Sequence, residues 1–234
     1  MPHRMFLVRT GLTETIRDVG NCISLYLCDD LSGRMVDQMG VNVGSYVGGP
    51  ILGKPPLQRA ERASVNYASG KYASCKSGAL VAGLVNSTLI VSIKSGAWTG
   101  STNAVYCERG SSGNDIWKLV QIDSTHLRFV HRDDAGTLTN GGNETTASCD
   151  GVPRVVGIAK ASKGIIYYRD GLANGTQALA GGDTMTNATL EARIGSDKGD
   201  GTCPWTSLIG FVALFGKTLA PAEMMAVNKA ARGQ

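Results

Sequence analysis

Short runs in which apolar and polar residues alternate, separated by turn residues, recur along the whole chain and constrain its fold more than any other feature. The clearest pair of runs, Ile116–Ile122 and Leu127–Arg132, flanks a turn at Asp123 and Ser124. Period-two alternation is typical of half-buried β-strands, and a short turn between two such runs predicts an antiparallel hairpin. The alternation also assigns faces, and Trp117 is predicted to lie in the core.

Similar runs predict β-strands along most of the chain, with one helix at the C-terminus. That helix is predicted to begin with Pro221, which suits a first helical turn, and Glu223 lies favourably near its positive end. Residues 22–234 show no repeat and no change of composition, so they are interpreted as one domain preceded by an N-terminal arm at residues 1–21. The further predicted strands are Ile23–Cys28, Val43–Val47, Ala63–Tyr67, Lys71–Ala73, Thr88–Lys94, Val155–Lys160, Gly164–Tyr168, Leu190–Gly195 and Leu208–Phe215.

Composition favours an all-β sandwich over a disordered or membrane-spanning chain. Apolar residues make up 42% and charged residues 18%, and the 31 glycines suit short strands joined by tight turns. The net charge of +4 has no basic stripe, which argues against nucleic acid as a partner. No apolar run is long enough to span a membrane, and the stretch before Arg9 is too short for a signal peptide, so we expect synthesis in a host cytoplasm.

The cysteines leave two interpretations open. No two of them have the C-x-x-C spacing of zinc or thioredoxin-like sites. They are either small buried apolar residues or partners in disulfides that form once the protein reaches an oxidising environment, such as a particle released from a cell. The disulfide candidates are Cys22, Cys28, Cys75, Cys107, Cys149 and Cys203.

Seven segments, in their order and spacing, are similar to segments of a known superfamily. They are Leu25–Gly33, Gly44–Tyr46, Thr88–Lys94, Gly164–Gly171, Ile194–Ser196, Ile209–Phe215 and Leu219–Glu223. In this order the chain resembles the laminin G-like, concanavalin A-like lectin/glucanase superfamily, especially its stand-alone forms in bacterial and bacteriophage proteins. The resemblance covers roughly residues 22–230 and implies an antiparallel two-sheet jelly-roll sandwich with one short C-terminal helix. It does not imply a single function, because this fold hosts lectins, hydrolases and structural modules.

Acidic residues do not form the pattern of the enzymes in that superfamily. Glucanases place carboxylates two apart on one strand, whereas Asp29 and Asp30 are adjacent and would face opposite sides. No catalytic residue is therefore nominated. Laminin G-like domains often hold calcium at one rim, which makes Asp197 and Asp200 candidate calcium ligands, although a solvated turn is the alternative interpretation. No other cofactor is predicted.

Ligand and interface candidates are aromatic or apolar residues predicted outside the core. Trp98 and Trp205 lie in predicted loops, where they could stack on a sugar or anchor a protein partner. In the arm, Met5, Phe6 and Leu7 form an apolar patch that belongs either to an interface or to an extra edge strand.

Three functions remain in view. The first is a non-enzymatic structural protein of a phage particle, a capsid decoration, collar or tail module. It would be exposed on the virion exterior, assemble as a homo-oligomer and contact other virion proteins. The second is a carbohydrate-binding, lectin-like module for cell-surface glycans, and the third is a glycoside hydrolase.

Overall fold

The computed structural model describes residues 3–75, 80–98, 100, 102–109, 115–140, 142–182, 191–197 and 203–234, without the side chains of residues 3–10, 109, 115 and 116. Within these ranges, sixteen strands form two antiparallel sheets, and two helices accompany them. The predicted two-sheet sandwich with a C-terminal helix is therefore confirmed. Neither of the described helices is long and apolar enough to cross a membrane.

The described residues contain eighteen helices and strands. In chain order they are α1 (His3–Val19), β1 (Cys22–Tyr26), β2 (Arg34–Met35), β3 (Gly44–Val47), β4 (Ile51–Lys54), β5 (Ser64–Asn66), β6 (Tyr72–Cys75), β7 (Ser87–Lys94), β8 (Asn103–Arg109), β9 (Asp115–Gln121), β10 (Leu127–Arg132), β11 (Leu138–Thr139), β12 (Arg154–Ala161), β13 (Gly164–Arg169), β14 (Leu172–Ala178), β15 (Ala192–Ile194), β16 (Leu208–Phe215) and α2 (Pro221–Ala231).

The two sheets share one apolar core. Sheet I has the order β14-β13-β12-β7-β16-β5-β4, with β1 paired to β16, and sheet II has the order β11-β10-β9-β8-β15-β6-β3-β2. Side chains from both sheets meet between them and exclude water, which is the main source of stability in a sandwich. The largest fully buried side chains of this core are Tyr26, Tyr67, Tyr106, Trp117, Phe129, Tyr167 and Trp205.

Both helices pack on the outer face of sheet I. The central strands β7 and β16 are therefore buried on both faces: Leu89 of β7 points into the inter-sheet core, and Ile90 contacts the helix layer. In α1, Leu12 and Ile16 are buried in the same layer as Val227 of α2. Within the described residues, no helix lies on the outer face of sheet II, so the two faces of the sandwich differ.

The N-terminal segment departs from its prediction. It forms α1, so the extra edge strand considered for it is wrong. The helix was missed because Gly11 and the β-branched Thr10, Thr13 and Thr15 lower helix propensity. Packing of Leu12 against sheet I and α2 outweighs that preference, because most helical stability comes from tertiary contacts.

The strongest sequence patterns gave accurate strands. The predicted hairpin is β9–β10, in which Gln121 pairs with Leu127. The strand predicted at Leu208–Phe215 is β16, and α2 begins at Pro221 as predicted. Five strands were missed: β2, β4, β8, β11 and β14. Among them, β8 contains a bulge that interrupts its alternation, and β14 is an edge strand that carries Asn174 and Gly175, residues typical of turns.

Candidate functional site

A groove of about 230 Å³ crosses the outer face of sheet II. It lies over β9 and β10, with the edge strand β11 at one side. The volume is below the roughly 300–1,000 Å³ typical of small-molecule sites, so the groove suits one or two units of a larger ligand. Its lining residues are Thr102, Lys118, Val120, Ile122, Arg128, Val130, Arg132, Leu138 and Asn140.

The period-two geometry of the hairpin decides which side chains reach the groove. Phe129 points into the core, and its neighbours on β10 therefore point outward. The register places Arg128 opposite Val120, and Val130 opposite Lys118. The same alternation that builds the core thus exposes a set of basic and aliphatic side chains.

The floor of the groove is apolar. Ala104, Val120 and Val130 form a small buried cluster, separate from the inter-sheet core, with Ile122 packed against it. At the rim, Leu138 keeps 40% of its surface exposed. An aliphatic floor beside polar side chains is the usual composition of a ligand site.

Two arginines of β10 flank Val130 and supply the polar part of the groove. The Nε of Arg128 donates a hydrogen bond to the amide oxygen of Asn143, 2.8 Å away. Nη1 of Arg132 donates to the carbonyl oxygen of Gly136 at 2.9 Å, while its Nε is buried without a hydrogen-bond partner. Within the described residues, neither guanidinium forms an ion pair with a carboxylate.

Two other cations of this face have acidic partners. Lys118 and Asp197 are both buried, and Nζ of the lysine lies 3.0 Å from Oδ2 of the aspartate. Arg193 of β15 pairs with Glu191 and stacks on the ring of Tyr72, with 4.7 Å between its guanidinium carbon and the ring centroid. The unneutralised positive charge of the groove therefore belongs to the two arginines of β10.

Trp205, predicted to be exposed, is in the core. Only 1% of its surface is accessible, and Nε1 donates to the carbonyl oxygen of Leu208 at 3.3 Å. Its backbone N–H donates a hydrogen bond to the carbonyl oxygen of Gly195, and the adjacent Pro204 forms a β-bridge with Ala104 of β8. These contacts hold the loop to sheet II and direct the indole inward. Trp98 is half-buried outside the groove, and Trp117 is fully buried as predicted.

The arm candidates Met5, Phe6 and Leu7 lie in the first half of α1. Their side chains are outside the described part of the structure. Their assignment to an interface therefore stays a prediction.

Of the two predicted calcium ligands, the structure describes Asp197 alone. Asp197 is in the ion pair with Lys118, and its Oδ1 is buried without a hydrogen-bond partner. Asp200 lies outside the described residues. Among those that are described, no three His, Cys, Asp or Glu side chains cluster as a metal site. The calcium site stays a prediction.

All six cysteines belong to the described residues and are thiols in the structure. Cys28, Cys75, Cys107 and Cys149 are buried, as expected for small apolar residues of a core, and Cys22 and Cys203 are half-buried. Burial raises the pKa of the Cys22 thiol to about 12. The structure gives no support to the predicted disulfides.

Buried carboxylates, which the sequence analysis missed, hold loops to the sandwich. Asp37 accepts hydrogen bonds from four backbone N–H groups between Leu25 and Asn42. Glu108 accepts those of residues 80–82 together with the hydroxyl of Tyr106. These carboxylates therefore have a structural role: their oxygens accept hydrogen bonds from loop backbone groups and are not available to a ligand. Burial raises the pKa of Glu108 and that of Glu144, which binds the N–H groups of Leu127 and Ser148.

Sequence reasoning also missed the groove arginines as a site. The signal was present, since Arg128, Val130 and Arg132 alternate on one face of a predicted strand. What the sequence did not reveal is which cations of the face have acidic partners.

No protein-family model and no curated protein matches the chain. Solved structures do match. The binding domain of botulinum neurotoxin DC, in complex with rat synaptotagmin II, superposes with a TM-score of 0.67 at 11% identity, covering 91% of this chain and 52% of that one. Domain 4 of an extracellular arabinanase from Geobacillus stearothermophilus, in complex with arabinotriose, gives 0.66 at 14% identity, covering 89% and 98%.

A sialidase from Trypanosoma rangeli also matches, with a TM-score of 0.64 at 13% identity, covering 89% of this chain and 32% of the sialidase. The chain spans about half the length of the neurotoxin binding domains, whereas it matches nearly all of the arabinanase domain. At these identities the matches show a shared fold, a β-sandwich that also occurs in receptor-binding and carbohydrate-binding domains.

Proposed function

We propose that this chain is a carbohydrate-binding module that holds glycans in the groove on the outer face of sheet II. The observation that carries the proposal is the groove itself, which combines an aliphatic floor with hydrogen-bonding side chains on the sheet face that has no helix among the described residues. The match to a domain solved with arabinotriose supports it at the level of fold.

The groove suits a sugar because a pyranose ring has both polar and apolar surfaces. The C–H face of a ring would pack on Ile122, Leu138 and the exposed edge of Val130, while hydroxyl groups bond Thr102 and Asn140. Waters can bridge the remaining hydroxyl groups, since polar sites of this kind are routinely wet. The aromatic residues of β9 and β10 point inward, so the floor is aliphatic rather than aromatic.

We further propose that the module does not catalyse hydrolysis. Retaining hydrolysis requires two carboxyl groups about 5 Å apart beside the scissile bond. Asp197 contacts the groove residue Lys118, and its Oδ2 accepts a hydrogen bond from the ammonium group of that lysine. The buried acids Asp37, Glu108 and Glu144 accept backbone hydrogen bonds away from the groove.

The virion assignment rests on the resemblance described from the sequence. No structural observation favours a phage particle, a homo-oligomer or contacts with other virion proteins over a glycan-binding module. Those statements, and the location on a particle exterior, stay predictions.

The proposal is tested by a glycan array followed by calorimetry on the best ligand, comparing Leu138→Ser with the wild-type protein. The substitution removes the apolar contact between the leucine side chain and the sugar. The loss of binding free energy is about 1 kcal/mol, so we expect about fivefold weaker binding. The matched control is Leu31→Ser, which changes a leucine that is 88% exposed outside the groove and should leave binding unchanged. An array with no bound glycan, or equal loss in both variants, would refute the proposal.

A further inference from the structure

We propose that the glycan held in this groove carries a carboxylate, as in uronic and sialic acids, and that Arg128 and Arg132 bind it. The inference rests on the proposed function and specifies its ligand class. Three observations carry it: unneutralised charge, the spacing of the two arginines, and a buried donor that lacks an acceptor.

The charge of the groove is the first observation. Lys118 has Asp197, and Arg193 farther along the face has Glu191, but Arg128 and Arg132 have neutral partners, the amide of Asn143 and a backbone carbonyl. A guanidinium keeps its charge at every physiological pH. A ligand with a negative charge would therefore meet, in the groove, two cations that have no acidic partner among the described residues.

The spacing of the arginines is the second observation. Four residues apart on one strand, their Cα atoms are separated by about 13 Å, and Val130 lies between them on the same face. An anion above the valine would lie about 7 Å along the strand from each arginine Cα, a distance that an extended arginine side chain spans, so both guanidinium groups can reach it. In a uronic or sialic acid the carboxylate is attached directly to a ring carbon, so the ring can cover Val130 while the carboxylate meets the guanidinium groups. A sulfate ester holds its charge farther from the ring.

The third observation is the Nε of Arg132, which is buried without a hydrogen-bond partner. Most buried donors are satisfied, so a group of this kind in a residue that lines the groove is available to an acceptor that the described residues do not provide. Nε and Nη2 of one guanidinium form a planar fork that matches the two oxygens of a carboxylate.

The ligand arm of the test compares sugars with and without a negatively charged carboxylate. Trigalacturonate and α2,3-sialyllactose are titrated beside the methyl ester of each, with lactose and galactose 6-sulfate as neutral and sulfated references. We expect each acid to bind about tenfold more tightly than its ester, the difference made by a charge-assisted bidentate contact. The difference should shrink when salt is raised from about 20 mM to about 300 mM, because the arginines are partly exposed and screened.

The protein arm uses Arg128→Gln, Arg132→Gln and Arg132→Lys. The glutamine variants should lose most of the preference for acid over ester, and the lysine variant, which keeps the charge without the fork, should keep part of it. Arg59→Gln is the matched control, because it removes an exposed arginine on the helix-bearing side of the sandwich. Because Arg132 also bonds the carbonyl of Gly136, thermal unfolding of each variant checks that the fold is intact.

The outcomes separate this inference from the proposed function. Acids that bind more tightly than esters, with the preference lost in the arginine variants, support both. Acid and ester binding equally, or the sulfated sugar binding best, would overturn the carboxylate assignment and leave the glycan-binding function in place. No binding of any sugar in this set or on the array would overturn both.

Discussion

Glu61 illustrates how single side chains specify the loops of this sandwich. Its Oε2 accepts the backbone N–H groups of Leu57 and Gln58, which fastens a turn over the outer face of sheet I. Residue 210 of β16 is a glycine because a methyl group there would overlap the Glu61 carboxylate. The carboxylate is 8% exposed and has no cation paired with it among the described residues, so desolvation raises its pKa to about 7.

Replacing Glu61 with Gln should make stability less dependent on pH. In the wild-type protein the unfolded chain loses the Glu61 proton near pH 4.5, whereas the folded protein keeps it to about pH 7. The folded state therefore binds more protons in this window, and the free energy of unfolding falls as pH rises, by about 3 kcal/mol in total. Glu61→Gln removes this loss, so the variant should gain stability relative to wild type between pH 4.5 and 7.

Urea unfolding of both proteins across that pH range measures the effect. Glu14→Gln, which removes a charge from an exposed position of α1, controls for net charge. A difference between Glu61→Gln and wild type that stays constant with pH would contradict the prediction.

At the scale of elements, the helix layer makes the two sheets unequal. The pair α1 and α2 buries the outer face of sheet I, and β7 and β16 consequently carry apolar residues on both faces. The hairpin β9–β10 in sheet II has one face in the core, and its outward residues alternate between basic and aliphatic. The groove lined by this hairpin therefore lies on the sheet face that carries no helix among the described residues.

Leu12→Ala and Ile16→Ala should each destabilise the protein, because both side chains are fully buried between α1 and sheet I. Truncating a buried leucine or isoleucine removes transfer free energy and leaves a cavity, so we expect a loss of about 2–5 kcal/mol in chemical unfolding. Glu14→Ala, on the exposed side of the same helix, should change stability by no more than about 0.5 kcal/mol. Wild-type stability in all three variants would mean that residues 1–21 form an independent arm.

At the scale of the whole molecule, the thiols are part of the folded core. Burial raises the pKa of Cys28, Cys75 and Cys149, and the reactive form of a cysteine is the thiolate. The sandwich of the described residues is held by its apolar clusters and hydrogen-bonded strands, with every cysteine reduced.

We therefore predict that these three thiols react slowly with a thiol reagent in the native protein, and that all six react after denaturation. The native mass, measured by light scattering, should be the same with and without reductant, whether the protein is a monomer or the predicted homo-oligomer. Fewer than six thiols in the denatured protein, or a mass that falls on reduction, would restore the disulfide hypothesis.

The sequence by itself determined much of the strand pattern and the faces of the clearest hairpin. The alternation around Trp117 and Phe129 was sufficient because side-chain direction in a strand depends on local geometry alone. It also placed Arg128, Val130 and Arg132 on one outward face. The C-terminal helix was predictable for a similar reason, since Pro221 and Glu223 act within one turn of its start.

Only the tertiary structure decided which residues have partners across the chain. Asp197 neutralises Lys118 over 79 positions of sequence, and this pairing leaves the arginines of β10 as the unpaired cations of the groove. The burial of Trp205 and the helical state of α1 have the same origin. Each depends on strand order and on packing between distant segments, which outweigh local propensity and are not encoded in any short pattern.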